Sequence, residues 1–178
     1  MSTVLDSIQA ACTAQARFDS PLGTLRLVRT ARGLAGAWFD GQKHHPGELP
    51  AAERPDDVLL VRAAAQLRRY FDGHEVSFDI PLDLLGTEFQ RAVWAALLRI
   101  PAGATRSYGD VAREIAAPQA VRAVGAAVGR NPLSVIVPCH RVVGSDGSLT
   151  GYAGGIERKQ ALLALEGSPV RHAERRSA

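Results

Sequence analysis

SYGDVAREIAAPQAVRAVGAAVG, residues 107–129, reads as two short helices joined by a tight turn. Ser107 stands where a hydroxyl can cap a helix, with Asp110 three residues on, and Val111 and Ile115 carry that helix to about Ala116. Pro118 starts the next helix, because a proline in a first turn has no intrahelical hydrogen bond to lose, and Gly129 closes it. The arrangement is a helix-turn-helix. Its second helix is surfaced with alanine and glycine, including Ala123, Ala126 and Ala127, and carries Arg122 and Arg130 at its ends. Small residues let a helix lie close to a nucleic-acid groove or pack closely inside a core, and the segment alone admits both readings.

Working outward, Thr87-Glu88-Phe89-Gln90 is a capping box, followed by a buried stripe of Phe89, Val93, Leu97 and Ile100 that Pro101-Ala102-Gly103 ends. From Ile115 to Ser145 the chain holds Arg122, Arg130 and Arg141 and no Asp or Glu, a basic strip suited to phosphate. Beyond Asn131-Pro132, Val135-Ile136-Val137 is expected as a short buried strand running into Pro138-Cys139-His140-Arg141. Gly144 to Gly147 is turn chemistry, Tyr152 to Gly155 a loop, and Ile156 to Glu166 a final helix. The polar, Arg-rich tail from Ser168 is expected to be disordered.

The N-terminal half has another period. Phe18 to Val28 alternates apolar and polar residues, turns at Thr30 to Gly33 and resumes through Leu34 to Phe39, a β-hairpin or meander. Residues 40–56 read as a loop with His44-His45 in solvent. From Asp57 an amphipathic helix places Leu60, Ala64, Leu67 and Phe71 on one face and Arg62, Gln66 and Arg69 on another, ending near Gly73. Val76 to Ile80 alternates as a strand, and Pro81 to Gly86 reads as a linker. The expected division is an α/β unit over residues 1–85, a mostly helical unit over 86–167, and a tail over 168–178.

With 178 residues, 46% of them hydrophobic, the chain can bury a real core. No signal-like N-terminal segment or long apolar run is present, so a cytoplasmic, monomeric protein without membrane partners is expected, nucleoid-associated in a bacterial cell. The net charge of +3 permits a polyanionic partner without identifying one. Only Cys12 and Cys139 occur, which argues for reduced thiols rather than a disulfide framework, and no Cys or His spacing supplies a zinc site. Cys12 reads as a packing residue or bystander.

Cys139 is different because His140 and Arg141 follow it. A free thiol is only a few per cent ionised at neutral pH, so a nucleophilic cysteine needs a base, a cation or a helix N-terminus nearby. Adjacent strand residues point to opposite faces, so His140 serves Cys139 only if the chain turns there or a water bridges them, and Pro138 makes a kink plausible. The Cys-His pair by itself admits packing as well as catalysis.

The order of helix-turn-helix, Asn131-Pro132, Pro138-Cys139-His140-Arg141-Val142 and Tyr152-Ala153-Gly154-Gly155 resembles the O6-alkylguanine-DNA alkyltransferases. The resemblance extends from Gly86-Thr87-Glu88-Phe89-Gln90 through Val93-Trp94, Ile100-Pro101, Thr105-Arg106-Ser107-Tyr108-Gly109 and Arg122-Ala123-Val124-Gly125 to Leu165-Glu166-Gly167, and more weakly to Ser20-Pro21-Leu22-Gly23-Thr24-Leu25. It implies a ribonuclease H-like α/β domain followed by a mostly helical, winged-helix-like domain. It also implies irreversible transfer of an alkyl group from O6-alkylguanine, and from O4-alkylthymine, in double-stranded DNA to the protein, with no cofactor, metal or obligate protein partner.

Carried over residue by residue, the resemblance makes Cys139 the acceptor, His140 a base acting through water, Glu166 its orienting carboxylate, Tyr108 a proton donor to the guanine ring, and Asn131 the brace of the turn. Arg122 would enter the duplex in place of the extruded nucleotide. Ala123, Ala126, Ala127, Arg130, Arg141, Thr105 and Ser107 would complete the DNA surface, and Val142, Tyr152, Ala153 and Gly154 would join Tyr108 in the substrate pocket. Ala153 stands where some relatives carry serine, which alters pocket tolerance. A lesion sensor lacking the acceptor thiol, a transcription regulator and a cysteine hydrolase are the rivals. Cys139 opposes the first, the bare Ala/Gly helix the second, and DNA dependence would exclude the third.

Overall fold

A computed structural model describes residues 3–74 and 77–168. The chain opens with α1 (Val4–Ala11), whose Thr3 and Asp6 form a capping box. Three antiparallel strands follow in the order β1 (Cys12–Ser20), β2 (Gly23–Thr30) and β3 (Leu34–Phe39). The expected single strand from Phe18 to Val28 is thus two, because Pro21-Leu22 form the turn, with Ser20 Oγ donating to the Gly23 carbonyl and accepting from Leu22 N–H.

Helix α2 (Val58–Phe71) starts at Asp57, whose carboxylate accepts from the Leu59 and Leu60 amides. Its buried face is Leu60, Ala63, Leu67 and Tyr70, turned slightly from the expected stripe, with Ala64 and Phe71 at its margin. Ser77 to Ile80 form no strand, and Val76 lies outside the described residues. The Gln66 side chain engages both the N–H and the carbonyl of Asp79, so those groups are not available to a sheet. His45, expected in solvent, is half-buried edge-on to Trp38, with Nδ1 accepting from Gly47 N–H.

The second half contains α3 (Glu88–Leu98), β4 (Arg106–Ser107), α4 (Tyr108–Glu114), α5 (Val121–Gly129), β5 (Val142–Val143) and α6 (Ile156–Leu165). Capping boxes close at Thr87 and Gln90 and at Ser107 and Asp110, where the sequence places them. Helix α5 begins three residues after Pro118, because residues 117–120 form a turn closed by Ala120 N–H on the Ala117 carbonyl. Helices α3, α4 and α5 pack on one another, with Trp94 donating its indole N–H to the Ala127 carbonyl.

The apolar core is continuous across residue 85, running from Leu25, Leu27 and Leu67 to Trp94, Leu97 and Val124. A smaller cluster of Ile8, Val28, Ala35, Trp38 and Leu49 covers the sheet's other face, so β3 is buried along its whole length. The two halves are also joined at backbone level. Ala37 N–H donates to the Pro132 carbonyl and Ser134 N–H to the Ala37 carbonyl, both at 2.8 Å, which fixes residues 132–134 against the edge of β3.

Candidate active site

Residues 131–140 are all buried, and they fold as a turn rather than the expected strand. Val137 N–H donates to the Leu133 carbonyl and Ile136 N–H to the Ser134 carbonyl, while Val135 takes a φ of 73°, a conformation costly for a β-branched residue. Asn131 compensates. Its Nδ2 donates to the carbonyls of Val137 at 2.8 Å and Leu133 at 3.3 Å, and its Oδ1 accepts from Leu133 N–H at 3.0 Å. The same amide donates to Cys139 Sγ at 3.0 Å, so one side chain holds both the turn and the sulfur.

A single 3₁₀ turn, Cys139–Arg141, supplies the kink that the sequence required. Cys139 is 4% exposed and His140 is fully buried. Burial pushes the Cys139 thiol up from its ordinary value, opposed first by the Asn131 hydrogen bond and then by the Lys159 charge. Burial pushes His140 down, only partly offset by Glu166. The imidazole is therefore neutral at physiological pH. Its Nε2 lies 2.8 Å from Glu166 Oε1, which assigns the proton to Nε2 and leaves a lone pair on Nδ1. Nδ1 has no protein hydrogen-bond partner among the described residues.

Glu166 closes α6 as its C-cap. Burial works to raise its pKa, but hydrogen bonds from His140, Arg141 and Tyr70 overturn that and bring it down to about 2. Arg141, expected to face DNA, instead turns inward. Its Nε reaches Oε2 at 2.9 Å, its Nη2 reaches Oε1 at 2.8 Å, and its Nη1 donates to the Ile100 carbonyl, a bidentate pairing that holds the carboxylate plane.

Tyr108 and Tyr152 line a cleft of about 530 Å³ together with Gly125, Arg130, Ala153 and Lys43. Cys139 is close enough to both tyrosines for its charge to raise their pKa values, after burial as the larger cause. Tyr108 hydroxyl donates to the carbonyls of Thr150 and Gly151, and the Tyr152 ring stands edge-on to His140. Gly154 packs against that ring, where an added Cβ would lie 2.5 Å from it. The Val142 carbonyl accepts from Lys159 Nζ and the Ala153 carbonyl from Lys43 N–H. A larger cleft of about 1040 Å³ lies between α1, the 82–87 linker and α3, and none of these catalytic candidates lines it.

On α5, Arg122, Ala123, Ala126 and Arg130 are exposed along one face. Ala127 is not with them: it is 3% exposed, because it lies at the edge of the face that α5 packs against α3, beside the buried Val124 and Val128. The Ser107 hydroxyl is committed to Asp110, donating to its carboxylate and accepting from its N–H, and Thr105 is half-buried just before β4. Among the described residues no cluster of His, Cys, Asp and Glu could hold a metal ion. Nor is any described helix long and apolar enough to cross a membrane.

The family model for the 6-O-methylguanine DNA methyltransferase DNA binding domain matches residues 88–168, and that for the ribonuclease-like domain of the same family matches residues 15–84. The chain belongs to the 6-O-methylguanine DNA methyltransferase family. A methylated-DNA–protein-cysteine methyltransferase of Mycolicibacterium paratuberculosis is 51% identical over 148 residues, covering 83% of this chain and 88% of that protein. The crystal structure of Mycobacterium tuberculosis O6-methylguanine methyltransferase matches with a TM-score of 0.79 and 47% identity, covering 89% of this chain and 95% of that one. A further structure from that organism, OGT in complex with DNA, matches with a TM-score of 0.79 at 46% identity over 88% of this chain and 96% of that one. The mixed α/β architecture with two family domains agrees with the fold class read from the sequence.

Two residues beside the Cys139, His140 and Glu166 cluster have no motif to announce them. Lys159 is fully buried, donating to the carbonyls of Val142 and Thr150, and burial brings its pKa down to about 8. Its signal in the sequence is a lysine sharing the buried face of α6 with Leu162 and Leu163. Tyr70, on α2, donates to Glu166 at 2.7 Å, and its only signal is a polar-tipped aromatic on an apolar helix face.

Proposed function

We propose that this protein repairs O6-alkylguanine in double-stranded DNA by direct, irreversible transfer of the alkyl group to Cys139. The carrying observation is the buried thiol held by the Asn131 amide beside a neutral His140 that is anchored on Glu166. His140 Nδ1 takes the thiol proton through a water, and Glu166 stabilises the imidazolium that results. The thiolate attacks the alkyl carbon, the carbon–O6 bond breaks, and its electron pair passes to the guanine ring, which Tyr108 protonates so that no bare anion departs. A thioether is not cleaved by the same groups, so one turnover consumes the protein. O4-alkylthymine, with the same alkoxy chemistry on a smaller base, is a second substrate.

The reacting carbon lies within the base stack, so the nucleotide must be flipped into the cleft beside Tyr108 and Tyr152. The exposed face of α5 is suited to flipping, since Ala123 and Ala126 allow close approach to the minor groove, Arg122 fills the space of the flipped base, and Arg130 meets phosphate. Residues 86–167 carry this chemistry and residues 1–85 the supporting α/β domain, in a monomer that works in the cytoplasm or on the nucleoid. The test is Cys139→Ala. It should bind a lesion-bearing duplex and accept no alkyl group; transfer that persists in this variant would refute the assignment.

A further inference from the structure

Glu166 accepts four donated hydrogen bonds, and three converge on one oxygen. Oε1 receives His140 Nε2 at 2.8 Å, Arg141 Nη2 at 2.8 Å and the Tyr70 hydroxyl at 2.7 Å, while Oε2 receives Arg141 Nε at 2.9 Å. The His140 and Arg141 donors come from the turn that carries Cys139. Tyr70 comes from α2, 96 residues away in sequence and in the other half of the molecule. We infer that Tyr70 is a positioning residue for alkyl transfer, through which the ribonuclease-like half fixes the carboxylate that orients His140; this rests on the function proposed above.

The hydroxyl is built into its place. Tyr70 is 5% exposed, its ring edge-on to Phe71 at 5.3 Å and tilted against Phe78 at 5.9 Å. Burial and the adjacent Glu166 charge raise its pKa far above the ordinary tyrosine value, so it remains a donor at every pH at which the protein works. Donation into Oε1 draws negative charge away from the oxygen that His140 contacts, which weakens the pull of that oxygen on an imidazolium proton. With fewer donors into it, the carboxylate would pull harder on the imidazolium proton and keep His140 protonated to a higher pH.

The other groups facing His140 are Arg141 in the same turn, Lys159 from α6, the Cys139 thiol and the edge-on ring of Tyr152. Arg141 and Lys159 also oppose protonation, and Tyr70 acts with them through the shared carboxylate. Removing its hydroxyl should therefore raise the His140 pKa, so that the neutral base is lost at a higher pH as the solution is acidified. The single-turnover rate should fall as well, because one of the contacts that fixes the carboxylate is gone.

The experiment is Tyr70→Phe in the full chain, with Leu60→Ala, a buried position of α2 remote from Tyr70, as a control for packing damage. The single-turnover rate with free O6-benzylguanine is followed against pH, and the His140 imidazole is titrated by NMR in the same proteins. Tyr70→Phe should be slower by roughly three- to tenfold, with the acid limb displaced upward by about half to one pH unit, as loss of a hydrogen bond to a charged group implies. Leu60→Ala should destabilise the fold without displacing that limb. An unshifted His140 titration in folded Tyr70→Phe would overturn the role of Tyr70, whereas wild-type protein that accepts no alkyl group would overturn the function itself.

Discussion

Replacing Asn131 with alanine separates the two roles of its amide. The carbonyls of Leu133 and Val137 keep other donors, from Val137 N–H and Cys139 N–H respectively, so the backbone group left alone is Leu133 N–H. One orphaned buried donor together with the weakened turn costs about 2–4 kcal/mol of stability. The chemical effect is distinct. A hydrogen bond to a thiolate exceeds one to a thiol by about 1.4 kcal/mol, or one pKa unit, so the thiolate population at neutral pH falls about tenfold. A more basic thiolate is also more nucleophilic, which returns roughly a factor of three, for a net loss of about threefold. Single-turnover kinetics with free O6-benzylguanine, measured from neutral pH upward, should show this deficit shrinking as the thiol ionises, while urea unfolding records the stability loss. A rate–pH curve that superimposes on the wild type would refute the contact with sulfur and leave Asn131 as a brace only.

Arg122→Ala should reduce repair of a lesion in duplex DNA far more than reaction with free O6-benzylguanine, by about tenfold or more, because only the duplex demands flipping; equal losses on both substrates would remove Arg122 from that step. Tyr108→Phe should slow alkyl transfer by roughly 10²-fold while leaving Cys139 titratable, and an unchanged rate would exclude Tyr108 as proton donor. Glu166 has its carboxyl lowered to about 2 from the ordinary 4.5, so its contribution to stability is complete above the ordinary value and is lost as pH falls toward the lowered one. Urea midpoints measured across that window should decline in the wild type, and the part of the decline due to Glu166 should be missing in Glu166→Gln.

Local chemistry is the legible part of this chain. Thr87 with Gln90 and Ser107 with Asp110 each cap the helix that the sequence assigns to them, since a cap is made within a few residues of sequence. Pro138-Cys139-His140 likewise marks the reactive turn. Val135 to Val137 depart from expectation because apolar β-branched runs suit a strand, whereas here the Asn131 amide and the pairing of residues 132–134 with β3 impose a turn. Arg141 has the look of a phosphate ligand while its partner, Glu166, lies 25 residues on. Tyr70 is hidden for the same reason at a greater separation. Such partners become apparent only when the fold brings α2, the 3₁₀ turn and the end of α6 together.

Covalent transfer to one named sulfur is read directly by intact-protein mass spectrometry after incubation with a duplex containing O6-methylguanine. A stoichiometric gain of one methyl group is expected, mapped by peptide analysis to Cys139, with guanine restored in the DNA. Tight binding to the lesion duplex with no change in protein mass would contradict alkyl transfer to Cys139.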